Sequence, residues 1–232
     1  MLLQDHAHTV DSRHISAAMH RLVTLVRQQA PAGGAQPQAQ AQARRHTAPS
    51  MRGKVQWFIT DMVNSWTPEM LAAFSCDDLA RVVLAVSRLR LPTLQLRGSR
   101  GVPALLQACL AATAQGGCSS VGLRQLLTAA ADAEAPLSTP MAAWLQQLLL
   151  QQAQQGQLAG WDASHWTLAL RAAARLNAPP PAPFGQALWD ITARQLGAWK
   201  GRQVALVMWA PCGGCMAPPA PWMQAWWVLT VH

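Results

Sequence analysis

Arginine is the residue type in this sequence with the clearest capacity for chemistry. The chain carries 18 Lys and Arg residues against 10 Asp and Glu, and all but two of the basic residues are Arg. Guanidinium groups fork onto phosphate oxygens and stack on bases, so an Arg-biased excess favours an RNA or DNA partner. A GC-rich coding sequence also inflates Arg together with Ala, Gly and Pro, and the composition leaves both explanations open.

The arginines are concentrated where carboxylates are missing. No acidic residue falls between Asp78 and Asp132, which makes this stretch the best candidate for a phosphate-facing patch. Arg81 and Arg88 are seven residues apart and therefore share a helix face, although a surface Arg often does no more than solvate a helix. The predicted RNA-binding residues are Arg44, Arg45, Arg81, Arg88, Arg90, Arg97, Arg100, Arg124, Arg171, Arg175, Lys200 and Arg202.

Cys212-Gly-Gly-Cys215 is the most conspicuous short motif, and the segment around it is similar to the active-site strand of thioredoxins. A Cys-x-x-Cys thiolate at a helix start is redox-active. Thioredoxins have Trp before the first Cys, however, where this chain has Pro211, and 17 residues after Cys215 are too few for the remaining sheet. Two thiols are also half of a zinc ligand set, so we expect neither redox chemistry nor a metal site.

Other catalytic signatures are missing from the sequence. It contains no GxxxxGK(S/T), GxGxxG, GxSxG or HExxH motif, and ten carboxylates leave few candidates for acid–base work. The sequence therefore predicts a protein that is not an enzyme, with no catalytic residues, no cofactor and no small-molecule substrate.

An internal repeat organises these residues. Segments of 19 residues begin at Phe74, Cys118 and Trp161, at intervals of 44 and 43 residues, and each runs from a hydrophobe or Cys through Ser or Asp to a terminal Pro. The Ser or Asp is a typical N-cap, and Pro stops a helix. A degenerate fourth copy starts at Trp199. The apolar stripes of the three clear copies are Leu79, Val82, Val83, Val86 and Leu89; Leu123, Leu126, Leu127, Ala130 and Ala133; and Trp166, Ala169, Leu170, Ala173 and Leu176.

A second set of helices is predicted between these segments, at 55–66, 102–114, 140–154, 182–196 and 221–231. Hydrophobic residues make up 51% of the chain and are drawn from helix formers, with no Tyr at all, which favours an all-α fold. A pair of helices cannot bury its faces alone, so neighbouring pairs must stack. We expect a right-handed α-solenoid of antiparallel helix pairs, with about four and a half repeats of 38 to 44 residues.

Three regions follow from this organisation. Residues 1–30 contain a basic amphipathic helix from Ser12 to Gln28, interpreted as a half-repeat. Residues 31–50 have the Pro, Gly, Gln and Ala composition of a flexible linker. Residues 51–232 form the repeat array. The longest apolar runs are too short for a membrane span, and we predict no membrane association.

The repeat resembles the octotricopeptide repeat, whose second helix has the signature F-S-x-x-(D/E)-L-A-x-x-(L/V)-x-A-(L/V)-(A/S)-x-L. Residues Phe74 to Leu89 fit this signature closely, and Trp161 to Pro179 fit it more loosely. The resemblance implies an RNA-binding protein of green-algal organelles, acting in chloroplast or mitochondrial RNA maturation, stability or translation, with some relatives built into the mitochondrial ribosome.

The C-terminal segment suggests a protein partner. Because no helix follows residues 221–231, Trp222, Trp226 and Trp227 are expected to lack cover and to contact ribosomal or other ribonucleoprotein proteins. The combined prediction is a permanent rRNA-binding component of the mitochondrial ribosome. The alternatives are a free RNA maturation or translation factor of the chloroplast or mitochondrion, and a protein–protein scaffold.

Overall fold

Every regular element in the described part of the chain is helical, which confirms the predicted all-α class. The computed structural model describes residues 12–28, 51–89, 101–115, 117–133, 137–209 and 218–231. Ala, Leu, Gln and Arg dominate these segments and have high helix propensity. The predicted linker at 31–50 and the motif Cys212-Gly-Gly-Cys215 lie outside the described residues.

Eleven α-helices and two short 3₁₀ turns occupy the described residues. The helices are α1 Ser12–Gln28, α2 Met51–Ser65, α3 Pro68–Ala72, α4 Cys76–Leu89, α5 Gly101–Ala114, α6 Ser120–Asp132, α7 Ser138–Gln154, α8 Ala163–Arg175, α9 Ala182–Gln195, α10 Gly201–Trp209 and α11 Ala220–Val231. The 3₁₀ turns are Gln157–Gly160 and Leu196–Ala198. The helices predicted from the repeat are thus present, with bounds that differ by a few residues.

Equivalent residues start the helices of the three clear repeats. The hydroxyl of Ser75 accepts from a backbone N–H of α4, Ser119 caps α6, and Asp162 caps α8 in a capping box with His165. These side chains satisfy N–H groups that have no partner inside the helix, which fixes where each helix begins. The short helix α3 was not predicted, although its Thr67 N-cap and the Pro that follows were a readable signal.

The helices make contact in two rows. Helices α1, α4, α6, α8 and α10 contact one another in succession, and so do α2, α5, α7, α9 and α11. The chain therefore passes from one row to the other with each successive long helix from α4 onward. The apolar stripes predicted for α4, α6 and α8 are all buried between these elements, because they face the neighbouring helices of both rows.

Three helices of the first row, α4, α6 and α8, point the same way. Asp77 of α4 accepts a 3.0 Å hydrogen bond from the backbone N–H of Ser119, next to the start of α6. At the opposite end, Arg171 Nη2 of α8 lies 3.7 Å from Oδ1 of Asp132, the last residue of α6. The amino-terminal ends of α4, α6 and α8 thus form one edge, here the amino edge, and their carboxyl-terminal ends form the carboxyl edge.

The expectation that Trp222 lacks cover is wrong. Its side chain is 1% exposed, its indole Nε1 donates a 2.8 Å hydrogen bond to the hydroxyl of Thr192, and its ring meets Trp189 edge-on at 5.3 Å. Helix α9 supplies this cover. Trp226 is half-buried against the core, and Trp227 is exposed.

No helix in the described residues is long and apolar enough to cross a membrane. This agrees with the short apolar runs of the sequence.

Candidate nucleic-acid interface

The carboxyl edge concentrates three of the predicted arginines. Arg88 lies in the last turn of α4, and Arg171 and Arg175 lie in the last two turns of α8. A cation at the carboxyl-terminal end of a helix is stabilised by the negative end of the helix dipole. Asp132, the last residue of α6, is the acidic residue that these three helices place at the carboxyl edge, and it is paired with Arg171. Among the described residues of α4, α6 and α8, basic side chains therefore outnumber acidic ones at this edge.

Arg88 and Arg175 differ in exposure. The Arg175 side chain is exposed at the end of α8, whereas Arg88 is half-buried. The Nε of Arg88 is enclosed and has no hydrogen-bond partner within the described ranges. Among the described residues, no salt bridge joins Arg88 to a carboxylate.

The amino edge has a different charge balance, because three carboxylates, Asp77, Asp78 and Asp162, lie there beside Arg81 and Arg124. Arg81 Nη1 lies 2.8 Å from Oδ1 of Asp78, a buried residue that also accepts hydrogen bonds from Ser16 and Ser75. Arg124 Nη1 lies 4.0 Å from Oδ2 of Asp162 in the next helix of the row. The face expected to carry Arg81 and Arg88 together is thus divided between two edges of different charge balance.

The remaining predicted residues are spread more widely. Lys200 is exposed between α9 and α10, and Arg202 lies in α10 with a side chain outside the described part. Arg44, Arg45, Arg90, Arg97 and Arg100 lie outside the described residues.

A cavity of about 200 Å³ opens at the amino edge, between the first turns of α6 and α8. His165 in its wall is buried, with Nδ1 at 2.7 Å from Asp162 Oδ1 and Nε2 at 3.1 Å from the carbonyl oxygen of Ser120. The Ser120 hydroxyl lies 3.3 Å from the same Nε2. These contacts hold the first turn of α8 against α6. Sequence reasoning missed His165, although its position three residues after the Asp162 N-cap is the capping-box signal.

The electrostatics of this cluster favour an ionised Asp162. Its partial burial acts to raise the pKa, but hydrogen bonds from His165 and Ser164 and the nearby imidazole outweigh burial and leave the pKa of Asp162 below its usual range. The carboxylate therefore acts at neutral pH as a charged cap on α8.

Three cysteines that looked scattered in the sequence interact in the structure. The Cys118 thiol is hydrogen-bonded to Cys76, and this bond, burial and the neighbouring Cys76, Asp77 and Cys109 raise the pKa of Cys118. Burial likewise raises the pKa of Cys109. A thiol held in its protonated form is a weak nucleophile, so the cluster contributes packing. No group of three or more His, Cys, Asp or Glu residues in the described ranges is arranged to hold a metal ion.

Comparison with family models, with curated proteins and with solved structures gives no match for this chain. The resemblance of its repeat to the octotricopeptide repeat therefore stays a proposal.

Proposed function

We propose that this protein is an organellar RNA-binding helical-repeat protein and that it serves as a structural, rRNA-binding component of the mitochondrial ribosome. The observation that carries the proposal is the charge of the carboxyl edge. Arg88, Arg171 and Arg175 lie on this edge with Asp132 as the opposing carboxylate. Guanidinium groups gathered at one edge, where arginines outnumber carboxylates among the described residues of α4, α6 and α8, suit the phosphates of an RNA backbone.

The proposed architecture is a right-handed α-solenoid of antiparallel pairs related to the octotricopeptide repeat. The two rows of successively contacting helices support it, as does the 43- to 44-residue interval between equivalent N-caps. Each row extends the core of the last pair, as expected for stacked repeats. Small-angle X-ray scattering of the whole chain tests this architecture, because a stack of pairs gives an elongated distance distribution and a bundle gives a symmetric one.

RNA binding is tested by the salt dependence of affinity. Arginine–phosphate contacts release counterions, so the binding constant for single-stranded RNA should fall steeply as salt rises. Salt-insensitive binding, or no binding of any RNA, would contradict the proposal. The chain's formal net charge of +8 favours binding to RNA, but the same charge would attract any polyanion.

Residence in a ribosome is tested by sedimentation of the native protein. A permanent component sediments with a ribosome-sized particle in mitochondrial extracts and is released when the RNA is digested by ribonuclease. A protein that stays at the top of the gradient would favour the alternative, a free RNA maturation or translation factor of the mitochondrion or chloroplast.

A protein-scaffold function is the second candidate, and the surface of α11 favours it. Trp227 and Val228 are 63% and 58% exposed on consecutive positions of this helix. Exposed apolar neighbours of this kind are common at protein interfaces. A partner lost on Trp227→Ser but retained on Arg88→Glu would support the scaffold function.

A further inference from the structure

Helix α2 exposes an aromatic pair that its packing does not require. Ile59, Thr60 and Val63 are buried and form the inner face of the helix. Trp57 and Phe58 instead point outward, with 61% and 40% of their surface exposed. In contrast, most tryptophans of the described residues are buried, namely Trp66, Trp144, Trp161, Trp166, Trp189 and Trp222.

The aromatic pair is tied to the carboxyl edge. Gln56, the residue before Trp57, donates a 2.7 Å hydrogen bond from Nε2 to the carbonyl oxygen of Leu89. Leu89 is the last residue of α4 and follows Arg88 directly. The first half of α2 thus lies beside the end of α4 at which Arg88 is found.

A second cation shares the exposed face. Lys54 is exposed three residues before Trp57 and four before Phe58, a spacing that places all three side chains on one side of α2. Asp61 is the exposed carboxylate of this face, and it lies one turn beyond the aromatic pair. The rings therefore have Lys54 on one side and Asp61 on the other along their own helix, and the hydrogen bond from Gln56 to Leu89 brings the end of α4 close to the start of α2.

We infer that Trp57, flanked by Phe58 and Lys54, is a stacking platform for unpaired bases of single-stranded RNA that runs along the carboxyl edge. The inference rests on the proposed RNA-binding function and adds the kind of RNA and the part of it that is contacted. Stacking needs an exposed base face, which duplex RNA hides, and Lys54 can hold a phosphate next to the stacked base. A protein occupant is disfavoured because both charged neighbours of the rings, Lys54 and Asp61, are of residue types that are depleted in the cores of protein interfaces.

The test compares affinities of the full chain by fluorescence anisotropy. The probes are a fluorescein-labelled oligouridylate, the same strand with abasic residues, and an RNA duplex. Trp57→Ala should weaken oligouridylate binding on the order of tenfold, since each stacked base contributes appreciably. Trp57→Phe should keep most of the affinity, and duplex and abasic binding should not change.

Salt dependence separates stacking from charge. Trp57→Ala should leave the slope of log affinity against log salt unchanged, because an indole releases no counterions, whereas Arg88→Gln should make it shallower. Trp227→Ala is the matched control, since that indole is equally exposed at the far end of the chain. If Trp57→Ala lowers the thermal unfolding midpoint, Trp57→Leu is used in its place. The leucine keeps the apolar bulk of the side chain but has no aromatic face.

Two results would overturn the inference while the RNA-binding function stands: equal oligouridylate affinity for Trp57→Ala and the native chain, or an equal loss on abasic RNA. Concentration-dependent self-association that Trp57→Ala abolishes would assign the platform to a protein contact instead. Failure of the native chain to bind any RNA is a different outcome, and it removes the proposed function itself.

Discussion

The carboxylate of Asp77, in the first turn of α4, accepts hydrogen bonds from both the backbone N–H and the hydroxyl of Ser119, the N-cap of α6, at 3.0 and 2.9 Å. The residues are 42 positions apart, nearly one repeat. The contact sets the register between neighbouring helices of the first row, because it ties one helix start to the next. It also leaves no room for a side chain at Gly122.

Gly122→Ala should destabilise the fold. The new Cβ would lie 2.1 Å from Asp77 Oδ1 and 3.1 Å from Cys118 Sγ, so the Asp77–Ser119 contact must shift. Overpacking of this kind costs about 1–3 kcal/mol of unfolding free energy, which exceeds the gain of up to about 1 kcal/mol from helix propensity. Denaturant titration measures the difference. Gly197→Ala is the control, because its Cβ meets nothing within 4 Å, and equal stability of both variants would contradict the prediction.

Trp222 and its hydrogen bond to Thr192 should contribute more to the free energy of unfolding than the exposed Trp227 does. Thr192→Val leaves a buried indole N–H without its acceptor and should cost about 1–3 kcal/mol, while Trp222→Ala should cost about 3–5 kcal/mol. Trp227→Ala should change stability by less than about 0.5 kcal/mol, since its side chain is largely exposed. If Trp227→Ala lowered the free energy of unfolding more than Trp222→Ala, the packing of α11 through Trp222 would be contradicted.

Asp162 should make stability depend on acidic pH. Its pKa in the folded protein is lowered from the ordinary value of 3.8, so the folded state binds fewer protons at this site than the unfolded state. The ionised Asp162 carboxylate therefore contributes its full stabilisation above pH 3.8. This stabilisation is lost as the pH falls through the lower pKa of the folded state. The native chain should therefore lose more stability than Asp162→Asn between neutral pH and pH values below 3.8. Parallel loss in both proteins would contradict this assignment.

The two edges should respond differently to loss of an arginine. Arg88→Gln should reduce the salt slope of RNA binding by about one unit or less, because under the proposal it removes one phosphate contact. Arg81→Gln and Arg124→Gln should leave it nearly unchanged, because these side chains already face Asp78 and Asp162. Anisotropy titrations across a salt series measure the slopes, and equal effects at both edges would argue against a carboxyl-edge interface.

Much of the fold could be predicted from the sequence because its signals are local. The apolar stripe of α4 repeats every three or four residues, and Ser75, Ser119 and Asp162 mark helix starts by hydrogen bonds to backbone within three residues. Pro92, Pro136 and Pro179 mark the regions where the helices end. Such interactions need no distant partner, and the all-α class and the helix positions followed from them.

The candidate site could not be predicted in the same way, because it depends on partners that are far apart in the chain. Arg81 and Arg88 share a face by spacing, yet the first is paired with Asp78 and the second has no carboxylate committed to it in the described part. Arg124 and Asp162 are brought together across two helices of the first row. The burial of Trp222 and the exposure of Trp57 likewise depend on whether a neighbouring helix covers the ring. Local periodicity specifies which residues share a helix face, while burial and charge compensation arise only when separate helices pack, since both are properties of the space between elements.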